Sequence, residues 1–120
     1  MIKLLPNLPD NIIGLTGSGH LTASDYEDVL IPAVDAALEK HKKLRLIYEL
    51  GNEFTGCAPG AVWDDMKLGM GHLSAWERIA VVTDVSWVAN GTNMFKFVMP
   101  CPVKVFPLKD RAAAEKWIAA

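Results

Sequence analysis

The stretch LRLIYELGNEFTGCAPGAVWDD, Leu44 to Asp65, decides how the chain is read. In its opening residues Leu44, Leu46, Tyr48 and Leu50 alternate with Arg45, Ile47 and Glu49. Successive side chains of a β-strand point to opposite faces, so this alternation places the first set together on one face of a sheet. Ile47 on the other face implies that this face is also partly covered. Gly51, Gly56, Pro59 and Gly60 break the pattern, and the strand is expected to end near Leu50. Helical spacing follows, with Val62, Met66, Met70 and Leu73 at steps of three and four. Asp64 and Asp65 fall in the first turn of that helix, where carboxylates oppose the positive end of the dipole. In an open α/β sheet, ligands usually bind where such a strand passes into its helix.

Upstream, residues 1–5 form a short strand candidate, a Pro-rich turn follows, and residues 11–16 resume with Ile12, Ile13 and Leu15. The two read as an antiparallel N-terminal hairpin. Gly17-Ser18-Gly19 interrupts the second strand as a bulge and lacks the spacing of a dinucleotide or phosphate loop. A first helix opens on a capping box, Ser24 with Glu27. Its apolar face runs through Tyr26, Val29, Leu30, Ala33, Val34, Ala37 and Leu38 to His41. Because that face continues across Pro32, the helix is expected to be kinked or stepped there.

Downstream, Arg78 to Thr83 is a near-continuous apolar run of the kind buried parallel strands show. Asp84 or Ser86 is expected to cap a third helix from Trp87 to about Met99, weakened at Asn90 and Gly91. Val103 to Phe106 is the last strand, and Asp110 is expected to cap a terminal helix with Ala113, Ala114, Trp117 and Ile118 inward. The order is β-β-α-β-α-β-α-β-α. It predicts one α/β domain over residues 1–120, with a mostly parallel five-stranded sheet and an antiparallel first strand.

Composition narrows the function. Half of the 120 residues are hydrophobic, 22% are charged and the net charge is −2, which offers no basic stripe for nucleic acid. Lys40, Lys42 and Lys43 sit at a helix end, where cations complement the dipole. No apolar run is long enough to span a membrane, and Lys3, Pro6 and Pro9 do not make a signal peptide. The two cysteines, Cys57 and Cys101, have no metal-ligand spacing. One follows the end of a parallel strand and the other precedes the start of another, so they are expected at opposite edges of the sheet, too far apart to bridge. A reducing compartment, the cytoplasm, follows from that.

No enzyme motif is present. His20, His41 and His72 are scattered, and Asp64 and Asp65, as helical neighbours, point about 100° apart. The expectation is a protein with no catalytic residues, no metal and no cofactor. What stands out is where soft and aromatic side chains gather. After the first residue every methionine, Met66, Met70, Met94 and Met99, falls in the second and third helices. Trp63, Trp87, Phe95 and Phe97 join them, with Gly69, Gly71 and Gly91 interspersed. Methionine re-packs readily around varied apolar partners, and glycine lowers the cost of moving a helix. Two readings remain open: these residues fill the core, or they line an adaptable apolar pocket or a patch that meets a membrane surface. In the second reading the ligand contacts are Trp63, Met66, Met70, Trp87, Met94 and Phe95. Four tryptophans in so small a domain also leave room for an apolar patch that a homodimer would cover.

Several segments resemble the SpoIIAA-like proteins, which belong to the STAS and Sec14-like (CRAL-TRIO) grouping. They are Leu21-Thr-Ala-Ser-Asp-Tyr26, Val29-Leu-Ile-Pro32, LRLIYEL, Phe54-Thr-Gly56, Gly60-Ala-Val-Trp-Asp-Asp65, Trp76-Glu-Arg-Ile-Ala-Val-Val-Thr-Asp84, Val103-Lys-Val-Phe106 and Ala114-Glu-Lys-Trp117. The resemblance covers essentially the whole chain. It implies a β-α superhelix, with sequential parallel strands and a layer of helices on the sheet. It implies two functions. One is binding of a small apolar ligand or lipid, with the second and third helices as a movable cover. The other is a phospho-regulated interaction module like the anti-sigma factor antagonists. Those carry an Asp-Ser-Ser-Gly-like motif at the start of the helix after the central strand. Here the matching stretch, Asn52 to Gly60, contains no serine, and only Thr55 could accept phosphate. Glu49 and Glu53 beside it would repel that phosphate.

Overall fold

A computed structural model of the chain describes residues 1–6, 8–57, 76–95 and 101–120. Strands β1 (Ile2–Leu4), β2 (Ile12–Leu21), β3 (Leu44–Cys57), β4 (Trp76–Thr83) and β5 (Val103–Phe106) form one sheet in chain order. β1 runs antiparallel to β2, and every later pairing is parallel. This is the α/β sheet that the alternation predicts. The segment between β3 and β4, where the second helix is expected, lies outside the described residues.

Period-two patterning divides the sheet into two apolar faces. On the first, Ile13, Leu15, Leu44, Leu46, Tyr48, Leu50 and Ile79 form one buried cluster. Val29, Leu30, Ala33, Val34, Ala37 and Leu38 cover it from the connection between β2 and β3, and Val85 and Val88 from the one between β4 and β5. On the second face, Ile12, Ile47, Ala80 and Val82 pack against Ala114 and Ile118 of the terminal helix. Ile47 is only 1% exposed, as its place among the polar residues of LRLIYEL implies. Helices therefore lie on both faces and not in a single layer. Strands added one after another by crossovers of one hand carry their connections on one face. The terminal helix connects to no further strand and is free to cover the other.

β3 does not stop at Leu50. It continues through Gly51 to Cys57 because β2 is equally prolonged, pairing Gly19 with Phe54, His20 with Gly56 and Leu21 with Cys57. Between the Gly17–Leu50 and Gly19–Phe54 pairs β2 advances two residues and β3 four, so the surplus is absorbed as bulges. Gly17-Ser18-Gly19 is thus the irregularity expected, and glycine supplies the positive φ at Gly19 (68°) and Gly56 (148°). β4 pairs with β3 only as far as Leu50–Thr83. The end of β3 therefore overhangs β4.

The first helical segment is stepped, as Pro32 requires. Helix α1 (Ala23–Asp25) passes through a π-helical turn, Tyr26–Leu30, into α2 (Ile31–Leu38), with Pro32 in the first turn of α2. Proline cannot donate to the carbonyl four residues back, and a wide turn accommodates that loss. Its capping box is Thr22 with Asp25, not Ser24 with Glu27. The Thr22 backbone N–H donates to Asp25 Oδ2 at 2.9 Å and its hydroxyl to the same oxygen at 3.2 Å. The spacing is the same, and the extended β2 sets which pair meets the turn.

Helix α3 (Ser86–Phe95) follows β4. The Asp84 carboxylate accepts the Leu108 N–H at 3.0 Å and so ties the end of β4 to the 3-10 turn Leu108–Asp110. Helix α4 (Arg111–Ala119) begins after Asp110, whose side chain makes no capping bond. Ala114 and Ile118 are buried as predicted, Trp117 is half-buried and Ala113 is exposed.

Basic side chains clasp the carboxyl end of α4 to the sheet. Arg45 Nη1 donates to the Ile118 carbonyl at 2.8 Å and also to that of Ala120, while its Nε donates to Glu77 Oε1 at 2.6 Å. Arg78 donates to the Trp117 carbonyl at 2.7 Å. The Arg78 guanidinium and Lys104 ammonium lie 5.4 and 5.1 Å from the Trp117 ring centre. Helix ends leave carbonyls without partners, and cations satisfy both those groups and the negative end of the dipole.

Candidate functional site at the carboxyl ends of the strands

Strand order runs straight from β1 to β5, so there is no reversal to open a ligand crevice of the doubly wound kind. The overhang of β3 supplies different geometry. Beyond Leu50 the strand has lost β4 as a neighbour, and α3 begins beside it. Phe54, 9% exposed, is packed into the first-face core, and the Trp87 indole rests on it with ring centres 5.7 Å apart and planes inclined by 37°. Trp87 is 55% exposed. Its ring is therefore not core filling. It is an apolar ledge fixed from below by Phe54, with Val85 and Val88 packed against the same core.

The other residues of the predicted contact set are placed unevenly. Trp63, Met66 and Met70 lie outside the described residues. Met94 and Phe95 close the backbone of α3, with side chains outside the description. Phe54, missed as a site residue, follows Gly51 and so sits in a segment that reads as loop. Its aromatic character in a strand of alternating hydrophobics was the signal that could have found it.

Thr55 is exposed and belongs to β3, between the pairs that Phe54 and Gly56 make with β2. It stands on a bulged strand, not at a helix start. Glu53 is exposed beside it, whereas Glu49 pairs with Arg111 at 3.1 Å. That pairing weakens the repulsion Glu49 would exert on a phosphate at Thr55.

At the opposite end of the sheet, Cys101 precedes β5 and packs against the first-face core. Cys57 ends β3 at the carboxyl edge, so the two cysteines occupy the opposite edges expected. Burial pushes the Cys101 thiol up, and the Lys43 ammonium pulls it down only in part. A thiol held protonated is a poor nucleophile. His41 Nε2 and Trp76 Nε1 are buried there without hydrogen-bond partners among the described residues. Among the described residues no group of three or more His, Cys, Asp or Glu is arranged to hold a metal, and no helix is long and apolar enough to cross a membrane.

The model of the SpoIIAA-like family matches residues 12–119. No curated protein matches the chain. A solved structure similar to it is the crystal structure of an uncharacterised protein with a SpoIIAA-like fold from Shewanella loihica PV-4. The two are 26% identical and superpose with a TM-score of 0.74 over 98% of this chain and 92% of the other. The family match spans all the parallel strands and the helices on both faces, and on it this chain belongs to the SpoIIAA-like family.

Proposed function

We propose that the protein is a non-enzymatic binding module that accepts a small apolar ligand or lipid at the carboxyl ends of β3 and β4. The observation that carries this reading is Trp87, an aromatic ring more than half in water yet held by the buried Phe54. An apolar surface kept exposed on a rigid support is typical of a binding site. The methionines and aromatics predicted for the second and third helices would complete the site. On this reading the protein is akin to the Sec14-like branch of the wider grouping and acts as a cytoplasmic domain that meets a membrane peripherally. The test is native mass spectrometry of the purified protein, with organic extraction of whatever co-purifies. A retained fatty acid or lipid supports the reading. A clean mass together with no co-sedimentation on phosphatidylcholine liposomes overturns it.

A second reading is an interaction module of the STAS type, and exposed Thr55 on the β3 overhang favours it. Phosphate there would carry negative charge to a strand segment that β4 does not pair. Thr55→Glu would then change capture of a protein partner from a lysate, while Thr55→Ala would leave apolar ligand binding unchanged.

A further inference from the structure

We draw no further inference here: the strongest candidate, the cluster of His41, Trp76 and Cys101 at the amino ends of β3 to β5, rests on a lone thiol and two buried nitrogens, and nothing in the structure shows what they would hold.

Discussion

Trp87 and Cys101 illustrate opposite relations between a side chain and its surroundings. Among the described residues Trp87 rests on the Phe54 ring, and more than half of it faces water, so removing it should cost the fold little. An aromatic pair contributes about 0.5–1.5 kcal/mol beyond burial, and Trp87→Ala should lower stability by roughly that amount in urea unfolding. Cys101 is held protonated by burial. Its folded pKa lies above the unfolded one, so its contribution to stability is complete below the unfolded pKa and is lost as pH rises through the folded pKa. Unfolding followed through the alkaline range should show that decline in wild type and a shallower one in Cys101→Ala. In a Cys57→Ser background, the remaining thiol should react with iodoacetamide at pH 8 more slowly than free cysteine. Reaction at the free-cysteine rate would contradict the burial argument. At this scale the sequence was only partly informative. Trp87 could be named from its aromatic neighbourhood, but its exposure depends on where β4 stops, which no local pattern encodes.

The element whose reading changed most is β3. Glycine usually ends a strand because it packs nothing and loses the most backbone freedom, which is why Gly51 reads as a terminus. β3 overrides that preference by bulging between Leu50 and Phe54, opposite Gly17 to Gly19 of β2, so that its later residues still pair. The step at Pro32 was legible because proline acts locally, and so was Val103 to Phe106 between its prolines. The Thr22–Asp25 cap was not, since two identical spacings compete and β2 decides between them. Helix α4 is held to the sheet by apolar contacts and by the arginine clasp, and these should separate experimentally. Arg45→Ala removes hydrogen bonds to the Ile118 and Ala120 carbonyls and to Glu77. The expected loss is about 1–3 kcal/mol by urea denaturation, concentrated as faster amide exchange in the last turn of α4. If α4 exchanged no faster than in wild type, the clasp would have no role.

For the whole molecule, the decisive property is a sheet whose strands follow chain order. It places the crossovers α1–α2 and α3 on one face and releases α4 to the other. The alternation of strands and helices foretold the class, and Ile47 foretold a second covered face. Which helix covers it did not follow, because the rule for crossovers is silent about a terminal helix. That cover makes the centre of the sheet intolerant of truncation. Ile47→Ala should cost about 2–5 kcal/mol, as large-to-small core substitutions do. Leu4→Ala, at an edge residue 53% exposed, should cost under about 1 kcal/mol by the same assay. Equal losses at the two positions would mean that α4 does not bury Ile47.

The most direct test of the account is a titration of wild type and Trp87→Ala with a fluorescent fatty acid such as parinaric acid, both proteins having first been matched by circular dichroism and melting temperature. The account predicts saturable binding by wild type and about tenfold weaker binding by the variant, equivalent to about 1.4 kcal/mol. Equal affinity in the two proteins, or no binding by wild type, would contradict an apolar site at the carboxyl ends of β3 and β4.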